Sequence, residues 1–321
     1  MSVDFTDLNR RRSDFHSVMH VGGYLAFVFA PVFLAAYIGN WPSYAIGFIW
    51  FGLSQNGVAN LMHEAAHRLL FHQGKWSDVL GHRVLAPFFL TNFELYRRRH
   101  WVHHNHIGTE HDTKTIYTMM FGGIASFLAF AARCAFGIEA VKRFANTQQE
   151  NKFVKPLTGE QKKQGLLNLV TFHVLFAIAL LLVAYGGSGG DWQQTIIRAG
   201  LAYGVVYIYA MATMTILLST LRSIAEHQIV GPADVTQGHA SLRNMRPTLA
   251  TRFLFGSYGF CEHATHHEHP TIPYYNLRQA TQELAKDEPE LACGPTYGGV
   301  IMRAVFDRVQ YERGLRLNSS S

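Results

Sequence analysis

Charge is what this 321-residue sequence has least of. Only 16% of its residues are Asp, Glu, Lys or Arg, low for a water-soluble chain, and from Phe15 to His63 there is none. A stretch of that length fits two apolar helices of about 20 residues each and a tight turn, the length a bilayer core requires. Cysteine is scarce as well. Cys134, Cys261 and Cys293 are odd in number and make no CxxC, which leaves disulfide scaffolding and iron–sulfur ligation without support. No GxGxxG follows a strand pattern and no Walker sequence occurs, so the chain has no expected flavin, nicotinamide or nucleotide site. No short apolar core ends in a small-residue cleavage pattern, and a removable signal peptide is not expected. The formal charge of +6 comes without a basic stripe interleaved with exposed aromatics, so nucleic acid is not an expected partner.

What is present is apolar and helical. Val21 to Ile38 is broken by Gly39-Asn40-Trp41-Pro42-Ser43 and resumes from Tyr44 to Met62; Pro31 inside the first run is tolerated in a membrane helix. Leu166 to Tyr185 and Ala199 to Leu218 form a second pair around Gly186-Gly187-Ser188-Gly189-Gly190-Asp191-Trp192. A fifth uncharged stretch, Thr115 to Ala132, would as a span separate the histidine clusters below across the membrane, so an interfacial or re-entrant segment is expected there. Arg10, Arg11, Arg12, Lys142, Arg143, Lys152, Lys155, Lys162 and Lys163 mark the cytoplasmic side, while the turns at 39–43 and 186–195 hold no Lys or Arg and carry Trp41 and Trp192. The expected organisation is an all-α integral membrane protein. It has a cytoplasmic tail over 1–20, transmembrane hairpins over 21–62 and 166–218, and cytoplasmic cap segments over 63–165 and 219–321, in an inner bacterial membrane. In the cap, Phe93 to His106 reads as a helix, Thr248 to His267 as another, and Tyr274 to Lys286 as a surface helix with Leu277, Ala280 and Leu284 on one side. Residues 139–164 are polar, with Pro156 and Gly159 marking a loop, and Gly231-Pro232-Ala233-Asp234 opens a polar stretch to Arg246-Pro247.

Histidine is the residue in surplus, at 18. His100, His103 and His104 stand at i, i+3 and i+4, so a helix aims all three imidazoles at one volume. His263, His266 and His267 repeat that spacing, His63 and His67 repeat its i, i+4 half, and His227 lies between. These nine are enough nitrogen ligands for two metal ions. Imidazole suits zinc, copper, iron and nickel alike. Each ligating ring needs its other nitrogen fixed, usually by a carboxylate; Glu64, Asp112, Glu226, Glu262 and Glu268 are placed for that, and no catalytic residue separate from the ligands is expected. A metal transporter would carry its ligands near the bilayer midplane. Only His173 lies near the middle of a span, where a hydrogen bond to a neighbouring helix is the plainer reading.

His63-Glu64-Ala65-Ala66-His67, His100-Trp101-Val102-His103-His104 and His263-Ala264-Thr265-His266-His267 resemble the three histidine boxes of the membrane fatty acid desaturase and hydroxylase superfamily, in their usual order. The likeness covers about residues 20 to 285. Asp112, the segment Pro270 to Leu277 and Arg222-Ser223-Ile224-Ala225-Glu226-His227 resemble flanking sequence of the same kind. The resemblance implies four transmembrane helices beneath a helical cytoplasmic cap, a non-haem diiron centre and dioxygen as co-substrate. It also implies electrons from a separate ferredoxin, rubredoxin or cytochrome b5 type carrier and its reductase, and a membrane lipid or acyl thioester as substrate. Ser223 stands where some members have an Asn that reaches one iron through water. The expected activity is fatty acyl or lipid desaturation. Hydroxylation, ketolation and alkane oxidation share the boxes and are the alternative; a metal transporter is the remote one.

Overall fold

The computed structural model describes residues 7–9, 13–109, 111–114, 119–147, 152–227, 242–292 and 294–307. Among them every regular element is helical. They form two compact units, one of Arg11–Arg98 with Lys155–Ile216, the other of Met1–Arg10 with Arg99–Val154 and Leu217–Ser321.

The first unit is built on the charge-free runs. Helix α1 (Asp14–Ile38) ends at Gly39 in the left-handed region (φ 69°), where glycine carries no Cβ penalty. Asn40 then caps α2 (Trp41–Ser54), accepting from the Ser43 backbone N–H at 3.0 Å. Helix α3 (Asn56–Ala66) follows at once. The expected second span, Tyr44 to Met62, is therefore two helices rather than one. The junction has a local cause: the Ser54 hydroxyl and the Gln55 amide donate back to the carbonyls of Phe51 and Gly52, competing with the helical ladder. The stretch from Leu69 to Asn92 holds α4 (Gly74–Leu80), a wide π turn over Gly81–Leu85 and a last turn at Ala86–Phe88; the carbonyls of Pro87 and Phe88 accept from His173 and Tyr207. His173, held also by the Tyr203 hydroxyl at 3.0 Å, is thus a structural histidine.

Among the described residues three helices are long and apolar enough to cross a membrane: α1, α8 (Gly159–Gly187) and α9 (Trp192–His227), the last of 36 residues. In Gly159–Gly187, Leu166, Val170, Val174, Ile178 and Leu182 are exposed while Phe176, Leu180 and Ala184 are buried. A helix apolar on its outward face as well as its packed one belongs in lipid. It starts earlier than the hydropathy suggested, because Thr158 and Gln161 form a capping box that carries the polar first turns into helix.

Helix α5 (Phe93–His106), whose residues from Arg99 on belong to the second unit, ends on the central histidines. Helices α6 (Ile124–Ala135) and α7 (Ile138–Thr147) meet at a bend of 80°, and counted together they bring the candidate spans to four. Arg143 of α7 donates to Ser219 and Thr220. The expected helix over Thr248 to His267 is instead α10 (Leu249–Leu254) and α11 (His263–Glu268). Tyr258 and Gly259 take positive φ between them, and a Cβ at Gly259 would come within 2.8 Å of the Tyr274 carbonyl oxygen. Helix α12 (Tyr274–Leu284) buries Leu277 and Ala280, and α13 (Tyr297–Phe306) packs Tyr297 and Val300 on Ala225, Met245, Phe255 and Cys261. The turn expected at Gly231–Asp234 lies outside the described residues.

The end of the first unit where Tyr37 meets Gly187 supplies a stability test. A Cβ on Gly187 would sit 2.0 Å from the Tyr37 carbonyl oxygen, whereas one on Gly186 meets nothing within 4 Å. Gly187→Ala should destabilise the detergent-solubilised protein by about 1–3 kcal/mol, as overpacking does. Gly186→Ala should be neutral or slightly stabilising; equal melting temperatures for the two variants would contradict this packing.

Candidate metal centre

Seven of the nine histidines belong to the second unit, and all seven are buried. Helix α5 stacks His100 one turn before His104, with their Nε2 atoms 3.1 Å apart. Its remaining candidate ligand, His103, turns Nδ1 to Asp112 Oδ1 at 2.8 Å. The loop after α5 makes that possible by folding Asp112 back, where its carboxylate accepts from the backbone N–H groups of Lys114 at 2.8 Å and Gly108 at 3.3 Å. His227 closes the long helix Trp192–His227, and its Nε2 lies 2.8 Å from His263 Nε2 on α11. His104 and His267 stack with ring centroids 4.1 Å apart.

The candidate ligand atoms fall into groups. Those of His100, His104 and His266 lie within 4.8 Å of one another, as do those of His103, His227 and His267, and those of Glu226, His227 and His263. Ligands about 2.0–2.1 Å from one ion fall within such separations. Two further observations test whether a cation fits. Neither ring nitrogen of His267 has a hydrogen-bond partner among the described residues, though both are buried; an unmet buried polar atom costs about 1–3 kcal/mol, which coordination would remove. The protonation states agree with this. Burial first, then the charges of Lys114 and His104, hold His103 well below the ordinary histidine pKa; burial followed by His227, Lys114, Arg222 and His103 does the same to His263. His267 is lowered by burial and then by His263, His104, His227 and His103. Neutral imidazole is the ligating form. Lys114 is only part-buried as a residue, yet burial of its ammonium, with Arg222 adding to it against Asp112 and Glu226, draws it down to about 8.

His63 and His67 belong to the first unit, at the end of α3. Both are buried, their ring centroids are 5.0 Å apart, and His63 Nδ1 lies 3.2 Å from Glu64 Oε1. The other carboxylates divide. Glu226 is buried beside His263, Glu262 is half-buried and Glu268 is exposed. Glu262, Glu268 and the half-buried Ser223 make no hydrogen bond to these histidines among the described residues. Lys114, Arg222 and Tyr297 border the site without having been singled out from the sequence. Arg222 stands four residues before Glu226, a spacing that signals an ion pair on a helix; no spacing links Tyr297 to it.

Residues 39–297 match the fatty acid desaturase family model, and the chain belongs to that family. It is also similar to dihydrorhizobitoxine desaturase of Bradyrhizobium elkanii, 23% identical over 287 residues that cover 86% of this chain and 77% of that protein. His63 to His67 also spells HExxH, in which a zinc hydrolase uses the Glu as base. Here Glu64 lies instead against the ring of its neighbour His63, and the family assignment removes the hydrolase reading.

Two outcomes follow from this geometry. Asp112→Asn should weaken metal retention by roughly 10–100-fold, the usual cost of losing a carboxylate behind a ligating histidine; metal content after chelator challenge measures it, and retention equal to wild type would detach Asp112 from the site. Because His103, His263 and His267 stay neutral when folded but charge when unfolded, the unfolded chain binds more protons below the ordinary histidine pKa of about 6.5. The stability of the metal-free protein should therefore fall as pH drops through that value and level off above it. Thermal unfolding at several pH values reads the trend, and a rise in stability on acidification would contradict it.

Proposed function

We propose that this protein is a membrane-bound, oxygen-dependent diiron desaturase that introduces a double bond into a long acyl chain carried as a membrane lipid or thioester. The observation that carries the reading is the pair of buried imidazole groups, His100, His104 and His266 beside His103, His227 and His267, in a chain of the fatty acid desaturase family. Two neighbouring groups imply two ions. All nine histidines, His63 and His67 included, are the proposed ligands, and the proposed metal is iron. Two irons held by these imidazoles would supply dioxygen activation and removal of hydrogen from an unactivated C–H bond. Taking two hydrogens from adjacent carbons while reducing O2 to two waters consumes two further electrons and two protons, and a separate electron carrier of the ferredoxin, rubredoxin or cytochrome b5 type is the proposed donor.

The chain's own residues do the positioning. Asp112 holds His103 by Nδ1 and would leave its Nε2 for a metal, Glu64 is placed to do the same for His63, and burial of the cluster would keep water from the site. The apolar helices support delivery of substrate from the bilayer, and the basic loops support a metal centre on the cytoplasmic side. The relative named above is named for desaturation, which supports loss of hydrogen over insertion of oxygen. It is also named for dihydrorhizobitoxine rather than for a fatty acid, so the assay must extend beyond acyl lipids.

Expression in a bacterial host with a matching electron donor, followed by mass spectrometry of total lipids and small metabolites, tests the proposal. A species lighter by two hydrogens, absent from a His104→Ala control, is expected. A species heavier by one oxygen would replace desaturation with hydroxylation, and a change confined to compounds without an acyl chain would overturn the substrate class.

A further inference from the structure

Resting on the diiron reading, we propose that Glu226 is itself a metal ligand, so that the ion held by His227 and His263 is bound by nitrogen and a carboxylate oxygen. The comparison with Asp112 is the starting point. Both carboxylates are buried beside ligand histidines, but they are differently engaged. Asp112 accepts from His103 Nδ1 and from two backbone N–H groups, so its oxygens are committed to holding a ligand from behind. Glu226 accepts one hydrogen bond among the described residues, from the Tyr297 hydroxyl at 3.3 Å, and its Oε2 lies 3.5 Å from Arg222 Nε. Both separations are long for a charge-assisted contact, which closes to about 2.7–2.9 Å. A buried carboxylate is thereby left with acceptor capacity.

That capacity faces the ligating nitrogens. Glu226 Oε2 is 3.9 Å from His263 Nε2, the same nitrogen that lies 2.8 Å from His227 Nε2. An oxygen fixing the tautomer of His263 would sit behind the ring, at the nitrogen turned away from the ion, as Asp112 does at His103 Nδ1. Glu226 is instead on the side of Nε2, where the ion belongs. Carboxylate oxygens bind at about 2.0–2.2 Å and imidazole nitrogens at about 2.0–2.1 Å, so an oxygen and a nitrogen 3.9 Å apart are within reach of one ion. Charge points the same way. Divalent cations held by neutral imidazoles alone would be buried next to Lys114 and Arg222, both close enough to act on His263. Uncompensated buried charge is costly, and a directly bound carboxylate compensates it at the shortest distance. The backbone supports the placement, since Glu226 and His227 are the last two residues of one helix.

Infrared difference spectroscopy on the full-length protein, labelled with 13C-glutamate, stripped with chelator and reloaded with zinc or ferrous iron, distinguishes a ligand from a bystander. Loading should shift a glutamate carboxylate band in wild type. The shift should vanish in Glu226→Gln and leave the glutamate-labelled spectrum in Glu226→Asp, which keeps a carboxylate but not the label, while Tyr297→Phe and Glu64→Gln retain it. If Glu226→Gln does not fold, the wild-type and Glu226→Asp spectra decide. Two bound ions with no glutamate band moved, or a shift that survives in Glu226→Asp, would overturn the assignment and leave the desaturase reading standing. No metal uptake by wild type would overturn both.

Discussion

Imidazoles buried within a few ångströms of one another are disfavoured as cations, because each charge is desolvated and repels its neighbours. As neutral rings they present lone pairs instead, and lone pairs gathered in a water-poor interior call for a positive ion. His103, His263 and His267 are held neutral by their surroundings. His227 and His263 approach through the same kind of nitrogen at 2.8 Å, a contact in which at most one partner carries a proton. The remainder of the second unit serves this arrangement. Asp112 fixes one tautomer, short helix α11 brings three histidines in on one turn, and Tyr258 and Gly259 break the chain so that α11 is separate from α10 and free to approach.

The apolar helices have features of their own. Trp192–His227 begins at an exposed Trp192 and ends on a buried histidine, so one element bears both an exposed apolar surface and a candidate ligand. Wide π turns over Ala202–Tyr209 and Met211–Thr215 interrupt it, and such turns recur at functional sites. At the opposite end of the first unit, Arg198 donates to the carbonyls of Tyr37 and Gly187, occupying helix-end acceptors that lipid would leave unmet.

Most of the candidate site was legible because side-chain direction on a helix has a period. Spacings of three and four residues put His100, His103 and His104, and again His263, His266 and His267, on one helical face, and no tertiary information was needed to see it. The charge-free runs likewise announced the apolar helices. What was hidden depends on contacts between distant segments or on side chains competing with the backbone. The break at Gln55 follows from Ser54 and Gln55 bonding back to the chain, and the gap between α10 and α11 from the close approach of Gly259 to Tyr274. The roles of the carboxylates were hidden for the same reason. Asp112, Glu226 and Glu268 all stand near a histidine cluster in sequence, and only the fold turns the first onto His103, the second toward His263 and the third to the surface.

The central claim is that these histidines hold two irons. Its most direct test is elemental analysis of full-length protein, purified from cells supplied with iron, together with Mössbauer spectroscopy of the 57Fe-enriched form. The account predicts close to two irons per chain in a nitrogen-rich environment, with both lost in His104→Ala or His267→Ala. One metal per chain, or tight retention of zinc alone under iron-replete conditions, would contradict it.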